Sequence, residues 1–365
     1  MVLPTLSAPA PDELEVTIFG PGFGESIVIH PGDDQWMVVD CCIHSESGRP
    51  AALWYLNEIG VWPTKVQLIL ASHWHDDHIR GMADLVASCP NAGFFCSAAL
   101  TRSEFQKVAI QFNRGPSAVG SGLHEIQKTF SILQSRGELP QYAMHDMILW
   151  RSTSSGAEPQ ELASLSPSNA EYHRFLKSMA GMWVATSSKT KFRFPSPSPN
   201  ELSVAAWLKM ASAQVLLGAD LEEHGPADRG WSAVLASPTR PPGCASLFKI
   251  AHHGSITGHH DGVWAEMLDP DPIAVLTPWN RGGKLPTDDD VERIVSLTPH
   301  AYSTSTFSPK KIKTGVSAVD RTLREMTAEL RMTEPRTGFV RLRRSATTEH
   351  TGWTVLCSTE AGLLH

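Results

Sequence analysis

The sequence of 365 residues lacks the features that mark several whole classes of protein. It has no run approaching the ~18 consecutive apolar residues of a membrane span. Residues 1–11 contain neither a basic region nor an apolar core of the kind that opens a secretory signal. We therefore expect a soluble, cytoplasmic protein without membrane contact. No internal repeat of fixed period is visible either.

Cysteine pairing motifs and excess positive charge are also missing. The six cysteines are spread over the chain without a C-x-x-C pair, which favours reduced thiols over a disulfide framework or a zinc ribbon. A net charge of −7 argues against a protein that coats nucleic acid by bulk charge, although a local basic surface stays open. With 41% apolar and 19% charged residues, the composition is that of an ordinary globular protein.

Strand-like and helical patterns alternate in two regions of the chain. A strand pair around a glycine loop is predicted at 14–19 and 27–29. The first region then predicts strands at 36–39, 66–70 and 93–99, with helices at 51–59 and near 82–86. The second predicts strands at 213–217, 246–250, 273–276 and 301–304, with helices near 231–235, 263–268 and 287–297. The middle, about 101–200, reads as less regular, and the C-terminal part predicts a helix at 318–330 and strands at 338–342 and 353–357.

The strongest functional signal is the segment Ser72-His73-Trp74-His75-Asp76-Asp77-His78, directly after an apolar strand. Neutral imidazole and carboxylate groups are the ligands of zinc and similar first-row metals. The H-x-H-x-D-H spacing lets His73 and His75 bind one ion while Asp77 and His78 bind a second. The alternative is a polar loop without metal, but such dense clusters seldom arise without ligation. We predict a metal site.

Two later segments supply candidate ligands for the same site. Asp220 follows an apolar strand, where a carboxylate can bridge two ions, although an acid in that position is also a common N-cap or turn residue. His252 and His253 follow another strand and precede Gly254, which lets the backbone approach closely. One or both of these histidines are expected as ligands; a histidine that is not a ligand would orient its neighbour or contact substrate.

Together these motifs resemble the metallo-β-lactamase-fold hydrolases, and the H-H-G-S form is similar to the nuclease-like domain of the competence protein ComEC. The resemblance covers about 14–305. A further likeness to that group is the glycine loop Gly22-Phe23-Gly24-Glu25-Ser26 followed by Val38-Val39-Asp40. The resemblance implies an α/β fold, an αββα sandwich with the site at one edge. It also implies that Asp40 supports the metal loop without binding metal.

The resemblance further implies a hydrolase domain at 1–305 that holds two Zn²⁺ ions, with Mn²⁺ as an open alternative. Residues 306–365 are expected to form a basic helix and hairpin packed on it. The implied metal ligands are His73, His75, Asp77, His78, Asp220, His252 and His253. Asp77 would also hold the attacking water, and a histidine of the 252–253 pair, taken as His253, would protonate or orient the leaving group.

Three departures from the family pattern stand out. The usual Gly-Asp is here Gly218-Ala219-Asp220, which changes the reach of the acid by a residue. A third-motif histidine is not recognisable, since His124, His145 and His173 all lie outside a motif and His145 reads as structural. A basic segment, Lys284-Leu285-Pro286, stands where related proteins carry His-Pro.

Phosphodiester hydrolysis of nucleic acid or a nucleotide is the favoured function. The alternatives are an ester, lactone or β-lactam hydrolase, and a metal-stabilised partner subunit without catalysis. Local charge supports the first reading, because residues 310–344 carry ten basic against four acidic side chains, a net +6. A polyanion, or a protein partner, could dock there, but a solvated helix face is an equal alternative. The basic residues are Lys310, Lys311, Lys313, Arg321, Arg324, Arg331, Arg336, Arg341, Arg343 and Arg344.

Overall fold

The computed structural model describes residues 6–101, 121–152, 159–185, 198–211, 213–280, 283–305, 336–347 and 352–365. Their strands form two sheets of eight strands each. The predicted helix at 318–330 lies outside the described residues, as do the basic residues from Lys310 to Arg331.

The first sheet is built from both ends of the chain. Its strands are β1 (Glu13–Gly20), β2 (Ser26–Gly32), β3 (Gln35–Val39), β4 (Val66–Ala71), β5 (Gly93–Ser97), β6 (Gln141–Ala143), β14 (Gly338–Ser345) and β15 (Thr354–Cys357). They lie in the order β15-β14-β1-β2-β3-β4-β5-β6. Strands β3 to β6 are parallel, so their carboxyl ends meet at one edge.

The second sheet comes mainly from the middle of the chain. Its strands are β7 (Met147–Arg151), β8 (Glu161–Ser164), β9 (Ala206–Met210), β10 (Ala213–Leu217), β11 (Ala245–Lys249), β12 (Leu268–Leu276), β13 (Ala301–Ser303) and β16 (Gly362–Leu363). They lie in the order β16-β13-β12-β11-β10-β9-β8-β7. Strands β10 to β13 are parallel, like their counterparts in the first sheet.

Helices cover the outer faces of both sheets. They are α1 (Ala51–Glu58), α2 (Asp76–Ile79), α3 (Met82–Ser88), α4 (Ser121–Ser135), α5 (Asn169–Ala185), α6 (Gly230–Ala236), α7 (Asp261–Glu266) and α8 (Asp288–Leu297). Thr287 caps α8, because its hydroxyl accepts from the Asp290 N–H and the Asp290 carboxylate accepts from the Thr287 N–H. None of the described helices has the length and apolar character needed to cross a membrane.

The apolar core forms three layers because the inner strands are buried on both faces. On β3, Met37 and Val39 pack between the two sheets, whereas Trp36 and Val38 pack outward under the helices. On β10, Val215 points into the same central layer and Leu216 points outward. The result is the predicted αββα sandwich.

The middle of the chain is more regular than its sequence indicates. Helices α4 and α5 and strands β6 to β8 lie in the stretch 101–200, for which the sequence pattern predicted less regular structure. The strands β6, β7 and β8 are short and lie at or next to sheet edges, so their pairing depends on neighbours distant in sequence.

The C-terminal strands belong to both sheets. The predicted hairpin is present as β14 and β15, but β14 pairs along its whole length with β1, and β16 pairs with β13. The division of the chain at 305 stays a prediction.

Candidate metal centre

The predicted site residues lie at the edge where the parallel strands of both sheets end. Asp40 follows β3, the histidine segment follows β4, Asp220 follows β10, and His253 follows β11. Because the sheets pack face to face, these strand ends bring side chains from both halves into one buried place.

The first ligand group consists of His73, His75 and Asp220. The His73 Nε2 and His75 Nδ1 atoms lie 3.1 Å apart. Two nitrogens bound tetrahedrally at the usual Zn–N length would lie roughly 3.3 Å apart, so this pair is already spaced for one ion. The Asp220 Oδ2 atom lies 3.8 Å from His73 Nε2. His75 is only partly buried and opens the group towards solvent.

The second ligand group consists of Asp77, His78, Asp220 and His253. The Asp77 Oδ2 atom lies 3.0 Å from His253 Nε2 and 3.5 Å from His78 Nε2. The Asp220 Oδ1 atom lies 3.3 Å from His78 Nε2. Asp220 therefore belongs to both groups and stands where a bridging ligand would be needed.

Hydrogen bonds orient the imidazoles of His73, His78 and His253 so that their Nε2 atoms face the centre. His78 donates from Nδ1 to Asp40 Oδ2 over 2.7 Å, and His253 donates from Nδ1 to the Thr277 carbonyl over 2.7 Å. Ser72 donates its hydroxyl to Asp40 over 2.7 Å and lies 3.0 Å from His73 Nδ1. Asp40 thus supports the metal loop, in the place predicted for it.

The donor set fits divalent metal ions. His78 Nε2 and Asp220 Oδ1 are both buried; they lie 3.3 Å apart, and neither has a well-formed hydrogen bond among the described residues. Such orphaned atoms are costly unless a cation contacts them. A mixed imidazole and carboxylate set in a buried place is typical of zinc, and it also admits Mn²⁺.

The pKa shifts of the site residues also indicate a place for divalent metal ions. Burial alone would raise the pKa of Asp77 and Asp220, but the His78 and His253 imidazoles lower the pKa of both carboxyls. Burial would lower the pKa of His78, but Asp220, Asp77 and Asp40 raise it well above its usual value. The carboxylates require positive charge beside them, which metal ions would supply in place of protons.

The loops that carry the ligands hold non-glycine residues in the left-handed region. Asp40 has φ 58°, Ala219 has φ 43°, and His252 and His253 have φ 46° and 54°. Such conformations are strained and cluster at functional sites. The family pattern has Gly-Asp where this chain has Gly218-Ala219-Asp220. Ala219 accommodates the extra residue, because its left-handed turn directs Asp220 into both ligand groups.

Of the two adjacent histidines, the structure brings His253 to the ligands and leaves His252 outside both groups. His252 Nδ1 lies 2.7 Å from Thr257 Oγ1 and 3.1 Å from Glu222 Oε1, and its Nε2 lies 3.2 Å from Asn200 Nδ2. Both nitrogens of His253 are engaged, one by Thr277 and one at the centre. His253 therefore fits the role of ligand better than that of proton donor.

The candidates for a third-motif histidine lie elsewhere. His124 and His173 are exposed on α4 and α5, and His145 pairs with Asp146 at 2.8 Å. None of the three belongs to a ligand group among the described residues.

Three supporting residues were missed from the sequence. The Ser203 hydroxyl accepts from the Asp220 N–H over 3.1 Å and lies 3.5 Å from His73 Nδ1. Thr277 holds His253, as described above. Lys249 is fully buried beside Glu25. Of these three, only Lys249 could have been noticed in the sequence, because it is the one charged residue in an apolar strand.

Two of the C-terminal arginines are not exposed. Arg341 is 9% exposed on β14, and Arg343 pairs with buried Glu15, its Nε lying 2.7 Å from Glu15 Oε2. These two side chains point towards the helix layer and are unavailable to a polyanion. Docking through the remaining basic residues stays a prediction.

One family model matches the first part of the chain. The family model described as the metallo-beta-lactamase superfamily matches residues 19–137, which contain the histidine segment but end before Asp220. No curated protein matches the chain. The narrower similarity to ComEC stays a prediction.

Several solved structures are similar in arrangement. The metallo-beta-lactamase fold protein YhfI from Bacillus subtilis is 14% identical, with 80% of this chain and 95% of that chain covered and a TM-score of 0.38. A HARLDQ-motif mutant of the metallo-beta-lactamase from Cronobacter sakazakii is 15% identical, with 68% and 79% covered and a TM-score of 0.37. The hydrolase AbOPH of the beta lactamase superfamily is 14% identical, with 60% and 75% covered and a TM-score of 0.37.

Proposed function

From its metallo-β-lactamase fold and its paired ligand groups, we propose that the protein is a metal-dependent hydrolase that cleaves phosphodiester bonds. The observation that carries the proposal is the position of Asp220, which belongs to both His73-His75 and Asp77-His78-His253. A carboxylate shared by two neighbouring ligand groups suits a site that holds two metal ions for hydrolysis.

When bound, two divalent ions lower the pKa of a shared water and polarise the bond under attack. The residues of the chain position the reactants. Asp77 directs Oδ2 towards His78 and His253, and its other carboxylate oxygen can accept a hydrogen bond from the attacking water. Asp40 and Thr277 keep the imidazoles of His78 and His253 in the tautomer that leaves Nε2 bare.

The charge of the centre favours an anionic substrate. Two divalent ions would bring +4, the ligand carboxylates Asp77 and Asp220 bring −2, and the histidine ligands are neutral, which leaves about +2, or about +1 once the attacking water has lost its proton. In a buried site of low effective dielectric, this excess stabilises a phosphodiester and the further negative charge that develops during its cleavage. A neutral lactone or ester gains less from it.

The test is a hydrolysis panel with Zn²⁺ or Mn²⁺ added. The substrates are single-stranded DNA, double-stranded DNA, RNA, bis(p-nitrophenyl) phosphate and a lactone. We expect bis(p-nitrophenyl) phosphate to be cleaved faster than the lactone, and Asp77→Asn to lower that rate at least ~100-fold because the carboxylate is lost from the centre.

Asp76→Asn is the matched control. Asp76 is the adjacent acid on α2 and lies outside both ligand groups. We expect its rate to stay within a few-fold of wild type. Faster cleavage of the lactone would replace the phosphodiester proposal with the ester or lactone alternative. Full metal content with no hydrolysis of any substrate would favour a non-catalytic subunit.

A further inference from the structure

A buried ion pair lies directly behind the candidate metal centre. The ammonium of Lys249, at the end of β11, contacts Glu25 Oε2, and both side chains are almost fully buried, at 0% and 1% exposure. Neither residue belongs to the two ligand groups that carry the proposed function. The pair joins the two halves of the sandwich, because Glu25 precedes β2 of the first sheet and Lys249 ends a strand of the second.

The ion pair is not explained by stability. Taking two charges out of water costs several kcal/mol per ion, and a buried pair often stabilises a fold no more than apolar residues would. This pair leaves the second carboxylate oxygen, Glu25 Oε1, buried without a hydrogen-bond partner among the described residues. Its position therefore points to a role in the site.

Lys249 holds the segment that carries Asp220. Its Nζ donates to the Ala219 carbonyl over 3.3 Å, and Ala219 is the residue in the left-handed region immediately before Asp220. The same carbonyl accepts from the His252 N–H over 2.9 Å. Lys249 thus fixes the strained peptide that turns Asp220 towards the metals.

Glu25 holds two other ligand segments. Its backbone N–H donates to the Asp77 carbonyl over 2.8 Å. Its Oε2 atom accepts from the Thr277 hydroxyl over 2.7 Å, and the Thr277 carbonyl is the acceptor for His253 Nδ1. The side chains of the ion pair are therefore connected to the segments that carry Asp220 and His253, and the Glu25 backbone to the segment that carries Asp77, so that the two residues reach three of the four members of the second ligand group.

We propose that Lys249 and Glu25 are positioning residues that preorganise the second ligand group, so that their loss releases the ion held by Asp77, His78, Asp220 and His253. The first group depends less on the pair, since it shares only Asp220 with the second group and its His73 is oriented through Nδ1 by Ser72. This inference rests on the proposed two-metal site. Removing a partner behind a ligand typically lowers metal affinity 10- to 100-fold.

The test is metal binding by Lys249→Met, which keeps an unbranched side chain of similar length and removes the charge. Zinc content is measured by elemental analysis, and the two affinities by competition with a chromophoric chelator. We expect bound zinc to fall from two ions per chain to about one, with the weaker site losing 10- to 100-fold in affinity and the tighter site changing only a few-fold.

Arg343→Met is the matched control, because Arg343 also pairs with a buried glutamate, Glu15, but lies away from the ligand segments on β14. It should lower the thermal midpoint and keep two zinc ions. A loss of zinc as large in Arg343→Met as in Lys249→Met would overturn the proposal, because general destabilisation would then explain both.

Two milder variants keep the proposal testable if Lys249→Met does not fold. Thr277→Val removes the hydroxyl that joins Glu25 to the His253 segment, and Glu25→Gln removes the negative charge while keeping the shape. Both should weaken the second site selectively, Glu25→Gln more than Thr277→Val. If the folded variants bind both ions with wild-type affinity, the pair has no positioning role. If the wild-type protein itself binds no more than one ion, the proposed two-metal site is wrong, and the positioning role that rests on it is wrong as well.

Discussion

Single residues at the centre act through the hydrogen bonds behind them. Asp40 accepts from the Ser72 N–H at Oδ1 and from the Ser72 hydroxyl and His78 Nδ1 at Oδ2, so that both of its oxygens act as acceptors. An Asn side chain at position 40 would replace one of these acceptor oxygens by an NH₂ group, which cannot accept a hydrogen bond from Ser72 or His78. The orientation of His78 depends on this carboxylate.

We predict that Asp40→Asn weakens zinc binding 10- to 100-fold, because His78 loses its orienting acceptor. Chelator competition measures the affinity. Asp34→Asn is the control: Asp34 is also in the left-handed region, at φ 59°, but is exposed and distant in sequence from the ligands. Equal affinities for Asp40→Asn and wild type would show that Asp40 does not tune the metal loop.

His30 gives the fold a dependence on pH that is separate from the centre. It is buried on β2 and donates from Nδ1 to the Glu13 carbonyl over 2.8 Å. Burial lowers the pKa of His30, and the bond to Glu13 only partly offsets this. The unfolded chain therefore binds a proton at His30 near the usual histidine pKa of ~6.5, whereas the folded chain binds it only at lower pH.

This difference in pKa makes the folded protein less stable as the pH falls. The contribution of His30 is fully present above pH ~6.5 and is lost as the pH falls from there towards the lower pKa of the folded state. We predict that the free energy of unfolding in urea decreases between pH 7.5 and pH 5.5, and that His30→Gln removes part of the decrease. An identical pH profile in the two proteins would exclude a contribution from His30.

At the scale of the elements, strand β14 near the C-terminus pairs with β1 near the N-terminus, and an ion pair to the buried carboxylate of Glu15 connects the two strands. Arg343 pairs with Glu15 Oε2 on the neighbouring strand β1, and Glu15 Oε1 accepts from the Tyr55 hydroxyl over 2.6 Å. The basic run at the C-terminus is thus partly an internal feature of the sheet.

We predict that Arg343→Ala lowers the free energy of unfolding by about 3 kcal/mol, because Glu15 is left buried without its cation. Urea denaturation measures the change. The double variant Arg343→Met with Glu15→Gln should recover part of the loss, since no unpaired charge remains. A change below ~0.5 kcal/mol in Arg343→Ala would place the pair among weak surface ion pairs.

Helix α8 supports the histidine loop from outside. Arg293 on this helix donates to the Gly254 carbonyl over 2.6 Å and to Asp290 over 2.7 Å, and Asp290 is the partner of Thr287 in the capping box. The cap and the loop are thus linked through two side chains.

We predict that Thr287→Ala lowers the free energy of unfolding by about 1 kcal/mol, the usual cost of losing an N-cap. Thr287→Ser keeps the hydroxyl and should stay close to wild type in the same urea titration. Equal losses in the two variants would mean that the methyl group, rather than the cap, supports the helix.

At the scale of the whole molecule, the centre ties the two sheets together, because its ligands follow strands of both. Metal that binds only the folded chain stabilises it by RT ln(1 + [L]/Kd), about 2.7 kcal/mol at a free concentration of 100 Kd. The ligands are separated by more than 170 positions in sequence, as in the contact between Asp77 and His253.

We predict that EDTA treatment lowers the thermal midpoint and that added Zn²⁺ restores it. Without metal, Asp77 and Asp220 stay buried with only protonated histidines to balance them. Differential scanning calorimetry before and after dialysis measures the change, with Mg²⁺ as the control ion that prefers oxygen ligands. If neither EDTA nor added Zn²⁺ changes the thermal midpoint, metal binding does not contribute to the stability of the fold.

The sequence by itself determined the local parts of this protein. The spacing of His73, His75, Asp77 and His78 after an apolar strand indicates ligation, and the alternating patterns at 36–99 and 213–304 predict two similar halves. Both signals are local, because neighbouring residues on one strand end or one helix face are fixed by backbone geometry alone. The alternation of strands and helices was predictable for that reason, whereas the αββα arrangement was an expectation from the family resemblance.

Only the tertiary structure decided which distant residues meet. The choice of His253 over His252 depends on two consecutive left-handed residues, and the link from Lys249 through Glu25 to the ligand segments depends on the packing of two sheets. The place of β14 between β1 and β15 likewise brings the half-buried Arg343 into contact with the buried Glu15. Contacts of this kind are set by which faces bury together, and no spacing within the chain records that outcome.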